Sequence, residues 1–171
     1  MENYNTIEKS WIASFESSDK VRILKTIYEV RNSGSVKMLP VMLGLINNRT
    51  DTEVNLEIIR LVSEMKSPEA VPVLARSFHD NDFGDYQNDL VAACWQSGLD
   101  FSNHLNTFVE LFVKGDFSTA LESFTVIEES LVNATVDQIH SCIHFIKDSE
   151  SKVSEDKMPL FRELKKVIES Y

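Results

Sequence analysis

Apolar residues recur along nearly the whole chain at the spacing of an amphipathic helix. Val71, Leu74, Ala75 and Phe78 stand at i, i+3, i+4 and i+7, which places them on one helical face. The same spacing recurs in Leu39, Met42, Leu43 and Ile46, in Leu105, Phe108, Val109 and Phe112, and in Ile139, Cys142, Ile143 and Ile146. Successive copies are offset by 32, 34 and 34 residues. A fixed interval of this size predicts an array of helical hairpins, each unable to bury its apolar face except against a neighbour.

A second set of helices alternates with the first. VRILKTIYEV, NLEIIRLVSEM, NDLVAACW and ALESFTVIEE each carry an apolar face, and each runs into a short polar turn containing Ser33, Ser67, Ser97 or Ser130. These are the leading helices of the hairpins, and the stripes above belong to the trailing ones. Thr50–Glu53 (TDTE) and Thr135–Gln138 (TVDQ) fit the capping box, in which a hydroxyl and an acid or amide satisfy orphan amides reciprocally. Asp85 and Asp116 are the expected N-caps of the third and fourth leading helices. In SPEAVPVLARSFHD, residues 67–80, Ser67 is the expected N-cap and Pro68 the first helical residue, where a missing N–H has no intrahelical partner to lose. Pro72 then removes only the first intrahelical bond, and Pro40 holds the same place one repeat earlier.

This stretch, followed by Asn81 and Asp82, resembles the second half of a short bacterial HEAT repeat of the phycobilisome-lyase type. The family pattern runs Asp-Pro-Glu-Ala-Val-Pro-x-Leu and ends in an acidic turn. The likeness is close here, fair in SGSVKMLPVMLGLI at residues 33–46, and periodic only in the last two hairpins. It implies an all-α fold, an α-solenoid of about four hairpins over residues 19–148 within one superhelical domain spanning 1–171. It implies no reaction, because HEAT-like arrays serve many functions.

The ends depart from the repeat, as terminal units of an array do. Residues 1–18 form an expected N-terminal capping helix with Ile7, Trp11, Ile12 and Phe15 inward. Residues 154–171 form a C-terminal one with Asp156 as N-cap, Pro159 in its first turn, and Phe161, Leu164, Val167 and Ile168 inward. KDSESKVSED, between Ile146 and the last helix, is the expected flexible connection.

Composition narrows the function classes. A chain of 171 residues, 43% hydrophobic and with five glycines and four prolines, has the makings of a packed core rather than a disordered tail. The N-terminus lacks the basic-then-apolar order of a signal peptide, and no run approaches the roughly 18 apolar residues of a membrane span. A cytoplasmic, non-membrane protein is the expectation. Cys94 and Cys142 fall at inward positions, where a free cysteine acts as a small hydrophobe, so no disulfide framework is expected.

Charge changes the picture most. Residues 1–76 hold ten basic and ten acidic side chains, and residues 147–171 six of each. Residues 77–146 hold eleven acids and one base, Lys114, so the whole net charge of −10 sits in the middle. A field of that sign favours a basic protein partner and disfavours nucleic acid, whose phosphates need a basic channel.

Candidate chemistry is sparse. His140 and His144 stand four apart on one helical face, a geometry that can hold a metal, but HExxH is absent and Cys142 points to the opposite side. Exposed surface histidines are the plainer alternative. Position by position, His144 corresponds to Glu110, Arg76 and Gly44, and His140 to Asn106, Pro72 and Pro40. In HEAT-like proteins such rows usually line the concave face, so Arg76, Asn106, Glu110, His140 and His144 are the expected partner-binding residues, against the alternative that they are merely solvated. HDNDFGDYQND, residues 79–89, fails the calcium-loop spacing: counted from Asp80, the sixth residue is Asp85 and the twelfth is Val91. It reads as an acidic turn in which Phe83 and Tyr86 could anchor a partner. Trp95, with Phe101 and His104, reads as a buried tryptophan packed between repeats, with a partner pocket as the alternative.

No GxSxG, Gly-rich phosphate loop or CxxC occurs. The iron hydroxylases among HEAT-like proteins use His-Glu pairs, which are absent, since the four histidines are followed by Asp, Leu, Ser and Phe. The expectation is a non-enzymatic interaction scaffold for a basic partner, needing no cofactor. The alternative is a HEAT-like enzyme or lyase handling a chromophore or metal on the His140/His144 face.

Overall fold

A computed structural model describes residues 5–47 and 50–171, and the described residues are helical with no strand. The ten α-helices are α1 (Thr6–Phe15), α2 (Lys20–Ser33), α3 (Leu39–Leu43), α4 (Thr52–Glu64), α5 (Ala70–Asp80), α6 (Gln87–Ser97), α7 (Leu105–Lys114), α8 (Phe117–Leu131), α9 (Val136–Ser149) and α10 (Met158–Glu169). They fall into two compact units, residues 1–86 and 87–171.

In the first unit α2 packs on α4, α3 on α5, and α1 on both α2 and α3. The expected trailing-helix stripes face its core: Leu39, Met42, Leu43 and Ile46 are buried, as are Val71, Leu74 and Ala75. Each such side chain stabilises by about 1.5–3 kcal/mol when removed from water. Ion pairs tie α2 to α4 at both ends. Lys20 reaches Asp51 at 3.0 Å and Glu53 at 2.7 Å, and Arg31 reaches Glu57 at 3.1 Å and Glu64 at 3.2 Å.

In the second unit α6 packs on α8, α8 on α7, and α7 on α9, with α10 against α8 and α9. Phe101 meets Phe108 edge to face at 5.2 Å, and Phe112 meets Phe161 of α10 at 5.8 Å. Such aromatic pairs add to their simple area burial. Phe161, Leu164 and Ile168 of α10 are buried as expected.

The two units share a local device. Ser33 Oγ donates to Val30 O at 2.7 Å and accepts from the Ser35 N–H at 3.1 Å. Ser97 Oγ donates to Cys94 O at 2.6 Å and accepts from the Leu99 N–H at 3.1 Å. Gly34 and Gly98 follow with φ of 68° and 67°, left-handed values that glycine adopts without a Cβ penalty. By this correspondence Val30 matches Cys94 and Arg31 matches Trp95, each within its own unit.

Helix starts both match and correct the expectations. The Thr135–Gln138 capping box forms in full, and Asp116 Oδ1 accepts the Thr119 N–H at 2.8 Å. At α4 the cap is Asp51 instead, which accepts from the Glu53 N–H at 2.9 Å, while Thr50 Oγ1 turns back to Leu45 O at 2.6 Å. Asp85 lies inside a 3₁₀ turn, Gly84–Tyr86, rather than at a cap, and it is Asp82 that accepts from the Gly84 N–H. Helix α5 begins at Ala70, two residues later than expected, behind a turn in which Ser67 O and Pro68 O accept from Ala70 and Val71. Pro72 is therefore the third helical residue, where no intrahelical N–H bond exists to be lost. Lys157, not Asp156, stands at the start of α10, with Pro159 in the first turn. On α1 the buried positions are Glu8, Ser14 and Phe15; Ile7 points to solvent, and Trp11 Nε1 donates to Glu29 at 3.0 Å. Six of the ten residues of the expected flexible connection are helical: α9 extends to Ser149, a 3₁₀ turn covers Glu150–Lys152, and Glu150 pairs with Lys165 at 2.7 Å.

Candidate functional site

His140 and His144 both lie on the exposed side of α9, while Ile139, Cys142 and Ile146 are buried. The helix period alone separates the histidines from the cysteine, as the spacing requires. Among the described residues no group of three or more His, Cys, Asp or Glu side chains is placed to hold a metal ion. The thiols face the core, and burial pushes Cys142 up to about 12 and Cys94 still further above the ordinary cysteine range.

The other row residues divide between the units. In the first, Arg76 is exposed and donates through Nε to Asp80 at 2.9 Å, one helical turn on. It lines an open groove of about 540 Å³ with Pro40, Leu43, Pro72 and Val73, so the structure brings the row members Pro40, Pro72 and Arg76 together. In the second, Asn106 is half-buried and Glu110 pairs with Lys114 at 3.0 Å. Glu110 and Lys114 border a groove of about 420 Å³ with Val113, Phe145 and Lys152.

Two aromatic expectations change. Phe83 is fully buried, its ring edge-on to Phe78 at 5.7 Å and 77°, so it cannot be a surface anchor. Tyr86 is half-buried and its hydroxyl lies 3.3 Å from Thr52 Oγ1. Asp82 holds the turn through the Gly84 N–H while the Phe83 ring fills the core. Trp95, expected buried, is 38% exposed, and its indole N–H donates to Glu122 of α8 at 2.6 Å. The neighbouring His104 is half-buried, and burial lowers its pKa.

One surface was not anticipated. Helix α8 buries Ala120, Ser123, Val126, Ile127 and Leu131, yet Phe117 (49% exposed), Leu121 (45%) and, just past its end, Val132 (71%) face outward. The signal in the sequence is an excess: FSTALESFTVIEESLV has more apolar positions than one packing face uses. Neither α6 nor α8 carries a basic residue. Where Arg31 of the first unit, together with Arg60, balances Glu57 and Glu64, the equivalent Trp95 offers Glu122 a hydrogen bond and no charge.

The chain matches no protein-family model, no curated protein and no solved structure at a significant level.

Proposed function

We propose that this chain is an α-solenoid of HEAT-like hairpins acting as a non-catalytic scaffold, and that it binds a basic protein partner through the acidic surface of its second unit. The observation that carries this reading is the absence of any base on α6 and α8 beside Asp89, Glu122, Glu128 and Glu129. Uncompensated charge of one sign raises the rate and specificity of encounter with the opposite sign. Like helices pack on like, leading on leading (α2 on α4, α6 on α8) and trailing on trailing (α3 on α5, α7 on α9), with α7 also against α8, which favours a stacked array. The same field repels phosphate backbones, which argues for protein rather than nucleic acid as partner. No described helix is long and apolar enough to cross a membrane.

The test is capture of partners from host extract by the immobilised full chain at about 50 mM and about 500 mM salt, since screening shortens the reach of exposed charges from roughly 14 Å to roughly 4 Å over that range. The expected result is a basic partner retained at low salt and released at high salt. Partners that are acidic, or indifferent to salt, would overturn the proposal.

A further inference from the structure

We infer that the outer face of α8, from Phe117 to Val132, is the docking surface for a cationic amphipathic helix of a partner protein, an inference that rests on the scaffold reading above. Phe117, Leu121 and Val132 lie within a 60° arc when each residue advances about 100° around the helix. The stripe runs over 16 residues, a rise of about 22 Å or four turns, the contact length of a helix laid into a groove. At its far end Val132 also lines a cavity of about 240 Å³ with Trp95, Leu99, Val126, Glu129 and Asn133. That is space for one large apolar side chain, bounded by an aromatic ring and a carboxylate.

Charge selects the occupant. Glu128 lies within the arc of the apolar stripe and Glu129 beside it, and neither has an ion pair among the described residues. Glu122, on the same helix, holds only the Trp95 indole. A second copy of this chain would set Glu128 and Glu129 against their own kind, and an anionic membrane surface would be repelled in the same way. A neutral apolar segment would cover the stripe but leave the carboxylates desolvated without partners. Lysine or arginine flanking an apolar stripe meets both demands: its aliphatic stem covers Leu121 and Val132 while its cation reaches the glutamates.

The probe is a synthetic helix of about 15 residues with leucines on one face and lysines on the other. The protein is the full chain carrying Trp11→Phe, so that Trp95 is the one remaining tryptophan. Binding is expected to shift Trp95 emission to the blue and to weaken as salt rises. The double variants Leu121→Ser/Val132→Ser and Glu128→Lys/Glu129→Lys, all at exposed or helix-flanking positions, are each expected to weaken it about tenfold or more, with circular dichroism confirming the fold.

Binding that leaves Trp95 emission and the Leu121→Ser/Val132→Ser affinity unchanged would overturn the site while the acidic-scaffold reading stands. Failure of the lysine peptide to bind even at low salt, together with no salt-labile partner from extract, would overturn both. Equal binding by the same peptide with glutamates for lysines would remove the charge argument. Dimerisation abolished by Leu121→Ser, or cosedimentation with phosphatidylglycerol vesicles, would replace the proposed occupant.

Discussion

Lys157 donates from its ammonium to the carbonyl oxygen of Phe112 at 2.9 Å, across 45 residues of sequence. Val113 O and Gly115 O, each at 2.7 Å, take its other two protons, so a buried cation closes the C-terminal end of α7. The placement suits both the unsatisfied carbonyls and the negative end of the helix dipole. Burial pulls the lysine pKa below its ordinary value, opposed by the charges of Asp156 and Asp116. Lys157→Met leaves carbonyls at the end of α7 without a donor, and the expected loss is about 2–4 kcal/mol, read as a lowered urea midpoint at unchanged slope.

Asp116 caps α8, and the backbone N–H and the hydroxyl of Thr119 hold its carboxyl below the usual carboxylate range. A group whose folded pKa is depressed contributes stability that is complete above its unfolded value, near 3.8, and is lost as pH falls through the lower folded value. Asp116→Ala is therefore expected to cost about 1 kcal/mol at neutral pH. The gap to the unmodified protein should close on titration below the unfolded value, and a gap constant down to the acid limit would contradict the cap.

Phe83→Ala empties a fully buried ring site and is expected to cost about 3–5 kcal/mol. Tyr86→Ala, three residues on, removes a half-buried ring and one long contact to Thr52, and should cost about half as much or less. Thermal unfolding of the two variants separates a core role from a surface one. Equal small losses would return Phe83 to the surface.

Neither thiol is expected to react with Ellman's reagent in the native state at pH 8, because both are buried and carry raised pKa values. Unfolding in guanidinium should release two equivalents. Fast labelling of Cys142 in the native protein would mean that α9 opens locally.

What the sequence made legible was whatever a single helix decides by its own period. The stripe Leu105, Phe108, Val109 and Phe112 is buried as written, and the histidines of α9 face away from Cys142 for the same geometric reason. The Thr135 box was legible because Thr135 and Gln138, three residues apart, satisfy each other's backbone N–H locally. At Thr50 two neighbouring capping residues competed, and a carbonyl five residues back, Leu45 O, drew the threonine away. Phe83 was misplaced because its acidic neighbours imitate a solvated loop, whereas its burial is decided by Phe78. Trp95 escaped because bulk argues for burial, while its exposure follows from a glutamate 27 residues further along the chain. The apolar face of α8 is written in the sequence as a surplus beyond the inward stripe, which helical spacing alone does not assign to either side.

The Arg31 and Trp95 positions show how one turn serves two electrostatic ends. In the first unit the counter-charge is covalently part of the fold and arrives with it, Arg31 and Arg60 standing against Glu57 and Glu64. In the second unit Glu128 and Glu129 have no such fixed counter-charge among the described residues. Under the proposed docking a cationic helix would bring the missing counter-charge, so its binding is expected to fade as the bath fills with salt.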